Sequence, residues 1–95
     1  MQLHIISQSP YQNDAFAQAM KIATAQDKVL FIDDGVYALT GAYLQQIQQH
    51  PCQCFAIKEH VALRGLKPDL SLVKLITFDI FVDLSLEAQH CLSWY

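Results

Sequence analysis

Apolar positions along the chain fall into short unbroken runs that alternate with stretches of three- and four-residue spacing, from one end to the other. Leu3-His4-Ile5-Ile6 predicts a first strand. Ser9-Pro10-Tyr11-Gln12 then combines an N-cap serine, a proline at the first helical position and a glutamine placed to complete a capping box. A helix is expected from there to about Thr24, with Phe16, Ala19, Met20 and Ala23 forming the stripe that lies on a sheet. Val29-Leu30-Phe31-Ile32 is apolar throughout, the pattern of a strand covered on both faces in a parallel sheet. Asp33-Asp34-Gly35 turns the chain at its carboxyl end. Val36 to about Gln49 predicts a second helix, interrupted at Thr40-Gly41 and stopped before Pro51, whose ring cannot continue it. Cys52 to Ile57 predicts a third strand, Glu59 to Arg64 a short helix capped by a left-handed Gly65, and Leu72 to Ile76 a fourth strand. The last helix is expected from about Phe78 to Ala88, followed by a short tail ending Ser93-Trp94-Tyr95.

Strand and helix in regular alternation give parallel strands joined by right-handed crossovers. The expected fold is therefore α/β: a three-layer α/β/α sandwich with a mostly parallel sheet of about four to five strands, residues 1–95 making a single domain. In open sheets of this kind sites form beyond the carboxyl ends of the strands. Here that means Ser7 to Tyr11, Asp33 to Tyr37 and Lys58 to His60.

Composition adds a partner to this picture. Hydrophobic residues make up 53% of the chain and charged ones 16%, against roughly a quarter charged in an average soluble domain. Some apolar surface is thus expected to meet another subunit, unless the many glutamines cover it. The six basic residues are scattered among nine acidic ones, for a net charge of -3, and form no phosphate-tracking patch. Direct nucleic-acid binding is not expected. Nor is a membrane: no apolar run approaches the length of a span, and the start lacks the features of a signal peptide. Three cysteines without scaffold-like spacing fit a reducing compartment, so a cytoplasmic location is expected.

No complete catalytic set emerges. Cys52 and Cys54, two apart on a strand, point to one face. With His50 and His90-Cys91 they could be assembled into zinc ligands, but the usual two-residue gap between cysteines is missing, and small buried thiols are the simpler reading. Asp33 and Asp34 could bind a metal or transfer protons, although an aspartate before a glycine and a helix is an ordinary turn and capping residue. No glycine-rich phosphate loop follows the first strand, and no serine lies in a nucleophile elbow. No cofactor or metal is expected, and the chain by itself is not expected to be an enzyme.

Several segments resemble, in order and over nearly the whole length, the DsrH/TusB family of sulfur-relay proteins. They are Leu3-His4, Ser9-Pro10-Tyr11, Asp34-Gly35-Val36-Tyr37-Ala38, Ala62-Leu63-Arg64-Gly65-Leu66, Phe81-Val82-Asp83-Leu84 and the terminal Ser93-Trp94. The resemblance implies a DsrE-like fold and a place in a hetero-oligomer, a hexamer built from two copies each of three homologous subunits, with TusC-like and TusD-like partners. In that relay a persulfide sulfur arrives from a TusA-like carrier, is held on a cysteine of the TusD-like subunit and passes to a TusE-like acceptor, ending in 2-thiolation of the tRNA wobble uridine. The DsrH branch belongs instead to the DsrEFH complex of sulfur oxidation and carries its own cysteine in the first helix. This chain has none there, and Ala19 occupies the place, which favours the TusB type: a non-catalytic subunit of a sulfurtransferase complex. Two alternatives stand beside it, a DsrH-like subunit of a sulfur-oxidation complex and a self-contained sulfur carrier using Cys52, Cys54 or Cys91. Tyr11, Asp34, Tyr37, Phe81 and Trp94 are the expected interface or loop-shaping positions. Trp94, next to the chain end, needs cover from its own last strand or from a partner.

Overall fold

The computed structural model describes residues 1–69 and 71–95. Five strands, β1 (Gln2–Ile6), β2 (Lys28–Phe31), β3 (Gln53–Ile57), β4 (Lys74–Ile76) and β5 (His90–Trp94), form one sheet in the order β4-β3-β2-β1-β5. Every pairing is parallel, with Leu3 opposite Lys28, Val29 opposite Cys54, Phe55 opposite Lys74 and His4 opposite Leu92. The connections are α1 (Ala15–Ile22), a 3-10 helix (Asp33–Leu39) running into α2 (Gly41–Gln49), α3 (Lys58–Leu63) and α4 (Phe78–Glu87). The expected α/β/α sandwich is present.

Three local expectations change. The segment Ser9 to Gln12 is a turn and not the first turn of a helix: the Ser9 carbonyl accepts the N–H groups of Gln12 and Asn13, and its Oγ accepts that of Tyr11. The serine uses its capping chemistry on the turn, and α1 starts only at Ala15, whose N–H donates to the Asn13 side chain. The predicted second helix is two helices, because Thr40 is extended and Gly41 takes a left-handed φ of 58°. The tail is a full strand, β5, paired with β1 from His90 to Trp94. By contrast Gly65, at φ 67°, caps α3 as expected: its N–H donates to the Ala62 carbonyl and that of Leu66 to Val61.

Chain direction decides which face each helix covers. From β1 to β4 the chain steps the same way across the sheet, so right-handed crossovers put the connections on one face. The step to β5 runs backward past β1 and puts α4 on the other. On the first face Phe16, Ala19, Ile47 and Val61 pack on Ile6, Val29, Phe31 and Ala56. On the second, Leu84, with Phe81 and Ala88, packs on Leu3, Leu30, Phe55, Ile57 and Ile76. A helix is about 10 Å wide, whereas five strands at about 4.8 Å spacing span about 20 Å. One helix leaves part of the second face open, and α4 itself presents Phe78 (51% exposed), Ile80 (43%), Val82 (52%) and Leu86 (78%) to the outside.

The odd strand is tied to the sheet by a buried polar chain. Trp94 Nε1–H donates to His4 Nδ1 at 3.1 Å, which leaves Nε2–H to donate to Asp27 Oδ2 at 3.0 Å. Asp27 also accepts the N–H groups of Gln2 and Thr24, and the indole stacks on the imidazole with ring centres 6.0 Å apart. Burial opposes ionisation of Asp27, but the hydrogen bonds from His4, Thr24 and Gln2 outweigh it and lower its pKa from 3.8 to about 2. A lowered value in the folded state means stabilisation that is complete above 3.8 and disappears as the pH falls to about 2. Acid unfolding followed by circular dichroism should therefore show about 2 kcal/mol of stability lost across that window, and Asp27→Asn should remove this part of the pH dependence while lowering stability at neutral pH.

Candidate functional site

The carboxyl ends of β1, β2 and β3 lead into Ser7 to Tyr11, Asp33 to Tyr37 and Lys58 to His60, the three segments expected from sequence. Adjacent strands whose connections leave on opposite faces open a crevice in folds of this type. In this sheet the chain leaves β3 for α3 on the first face and leaves β4 for α4 on the second. The crevice between them is filled. The His60 ring meets Phe78 edge-on with centres 5.5 Å apart, and Phe78 in turn packs on Phe81 at 6.2 Å.

Around that plug the loop after β2 is fixed by α3. Asp33 has a left-handed φ of 48°, a conformation that aspartate tolerates better than most residues, and its N–H donates to His60 Nδ1 at 2.8 Å. That bond makes Nδ1 an acceptor, so its approach to the Asp33 carboxylate at 3.7 Å is not a hydrogen bond. Arg64, one turn on from His60, donates through Nε and Nη2 to Asp34 Oδ1 at 3.2 and 2.9 Å and through Nη1 to the His60 carbonyl. Its guanidinium carbon lies 5.9 Å from the centre of the Tyr37 ring. Gly35 is required where it stands, since a Cβ there would run into the Ile6 carbonyl oxygen and carbon. The Tyr11 hydroxyl donates to Thr40 Oγ1 at 2.9 Å, and the Thr40 hydroxyl donates in turn to the Tyr37 carbonyl.

The sequence-predicted positions thus fall into one connected region and one outlier. Asp34 and Tyr37 meet through Arg64, Phe81 joins them by way of Phe78 and His60, and Tyr11 reaches the Tyr37 backbone through Thr40. Trp94 stands apart, engaged with His4. Sequence reasoning missed Arg64 and His60 as organisers of the region. Their four-residue separation on a short helix was the available signal.

Asp34, Arg64, His60 Nδ1, Tyr11 and Thr40 each hold a neighbouring group, and among the described residues of this region no nucleophile stands beside a base. Asp33 and Asp34 do not form a carboxylate pair: one faces His60, the other Arg64. The cysteines lie elsewhere. Cys52 and Cys54 are at the opposite, amino end of β3 on the first face, while Cys91 is exposed on β5, across β2 and β1, and on the second face opposite Leu3. The structure therefore separates the residues that a zinc site would need, and His50 is already engaged, Nε2 with the Met20 carbonyl and Nδ1 with the Cys52 N–H. Ala19, which the family resemblance puts at the place of the first-helix cysteine, is fully buried against the sheet.

The model of the DsrH family, described as DsrH like protein, matches residues 8–91. Proteins named TusB from Yersinia pestis and from Yersinia pseudotuberculosis are 35% identical to this chain, over 97% of it and 99% of their own length. The chain belongs to the DsrH/TusB family. Membership supports a role in sulfur relay. Among solved structures, the ychN protein from E. coli superposes with a TM-score of 0.78 at 16% identity, over 98% of this chain and 99% of that one. A Thermotoga maritima protein solved by solution NMR gives 0.66 at 27% identity, over 88% and 90%. This family member thus has the DsrE-like fold. Among the described residues, no helix is long and apolar enough to cross a membrane.

The packing predicts a steep contrast between two neighbouring substitutions. Gly35→Ala should cost about 2 kcal/mol or more, because only backbone can move to make room. Arg64→Ala, which removes a half-exposed ion pair, should cost less than about 1 kcal/mol. Urea denaturation of the two variants beside the parent protein measures both.

Proposed function

We propose that this chain is a non-catalytic, TusB-type subunit of a sulfurtransferase complex, working in the cytoplasm as one unit over residues 1–95. Its partners are TusC-like and TusD-like subunits in a hetero-oligomer, a hexamer in the family pattern. It meets TusA-like and TusE-like carriers only indirectly and serves 2-thiolation of the tRNA wobble uridine without touching tRNA or membrane. Its role is to shape the surface on which a neighbouring subunit's thiol takes up and gives away sulfur. Tyr11, Asp34, Tyr37 and Phe81 hold that surface in shape, and Trp94 holds the edge strand.

The observation that carries this reading is that Ala19, which the family resemblance puts in the place of the sulfur-carrying cysteine, is sealed in the core. It favours the TusB type over a DsrH-like subunit of a sulfur-oxidation complex. The exposed apolar side chains of α4, from Phe78 to Leu86, support a partner on the second face.

Co-purification from the native cells, with mass spectrometry of what accompanies the chain, should recover two homologous α/β subunits. Recovery of the chain alone would overturn the assignment. Incubated with a sulfane-sulfur donor, the isolated chain should retain no stoichiometric added sulfur at any single site, whereas a stable single-site persulfide would make it a carrier.

A further inference from the structure

The amino end of β3 holds a second chemical feature, independent of the family reading. Cys52 and Cys54 place their sulfurs 3.8 Å apart on one face of the sheet. Both are nearly buried, yet both line a cavity of about 320 Å³ together with Gln53, Phe55, Ser71 and Lys74. Cys54 is fixed in the ladder opposite Val29, but Cys52 lies in a bend just ahead of the strand, outside the pairing that starts at Gln53. Residues two apart on an extended strand have Cα atoms about 6.7 Å apart, at the upper limit of what a disulfide spans. The unpaired bend at Cys52 supplies the freedom needed to close that gap.

We propose that Cys52 and Cys54 form a dithiol site that exchanges with small organic disulfides and closes to an intrastrand disulfide. Cys52 is the attacking thiol and Cys54 the resolving one. The Cys52 thiolate attacks one sulfur of the reagent, forming a mixed disulfide and expelling the first half as a thiolate, which takes up the proton lost from Cys52. Cys54, deprotonated by solvent base, then attacks the Cys52 sulfur, and the second half leaves and is protonated in turn. Two protein thiols are oxidised, one external disulfide is reduced to two thiols, and no other oxidant is required. The division of labour follows from the local bonds. The Cys54 thiol directed at its sulfur lowers the Cys52 pKa to about 7, with His50 assisting and burial opposing. The same contact and burial push Cys54 upward, so its proton stays until the first step brings a leaving group alongside. A thiol with a pKa near ambient pH is the most effective attacker in exchange.

The test uses the folded full-length chain carrying Cys91→Ser, so that the exposed thiol does not contribute, with hydroxyethyl disulfide as the probe. Intact-mass analysis should show loss of two hydrogens with no retained adduct, reversal by a dithiol reductant, and a Cys52–Cys54 link in one peptide. Adding Cys54→Ser should trap one half of the reagent on Cys52. Adding Cys52→Ser should slow the reaction on the order of tenfold or more. Circular dichroism of each variant separates loss of reactivity from loss of fold. Both thiols remaining free in native buffer and reacting only in denaturant would overturn the proposal, as would a Cys52→Ser variant that reacts as fast as its parent.

Discussion

The handedness of the crossovers is the constraint on which the rest of the structure depends. A chain that steps one way from β1 to β4 must lay its helices on one face, and that face acquires a thick apolar layer in which Phe16, Val29, Phe31 and Val36 are closed off from water. The single reversal to β5 sends one helix of ten residues to the other face. Uneven cover follows from connectivity alone, before any side chain is chosen. The sequence then accommodates the open face by keeping apolar residues on α4 where a free-standing protein would place charges.

The reversal also leaves β5 as an edge strand joined only to β1. His4, a buried imidazole in the middle of an apolar strand, is what anchors it. A lone buried histidine would carry an unsatisfied nitrogen, but here one nitrogen takes the indole N–H and the other gives to Asp27, whose remaining bonds clamp Gln2 and Thr24. One network thereby connects the start of β1, the turn before β2 and the last strand.

Much of this was legible in the sequence. The unbroken run Val29 to Ile32 marked a strand buried on both faces, and Gly65 marked the end of α3, because burial and left-handed backbone leave direct signatures in residue type. The capping pattern at Ser9 is ambiguous because a serine oxygen serves a turn as readily as a helix; the turn that forms is held from α2 by Tyr43, whose hydroxyl donates to the Pro10 carbonyl. The β5 strand is not legible in the sequence because Cys91, Leu92 and Ser93 carry no strong alternation and gain their pairing from β1, nearly the whole chain away. At the candidate site, Asp34, Tyr37 and Arg64 all stand in motifs visible in the sequence, but the part of Arg64 as organiser of the other two is not. A grip on a loop thirty positions earlier is a tertiary contact, and the spacing of His60 and Arg64 hints at a shared role without naming the partner.

The chain contains one tryptophan, and it is the residue that locks the edge strand onto an imidazole. Indole emission is sensitive to a ring lying against it, so the protein carries its own optical reporter at the place where the sheet closes. Fraying of the last strand, or a neighbouring subunit extending the sheet beyond it, would register in fluorescence without any label.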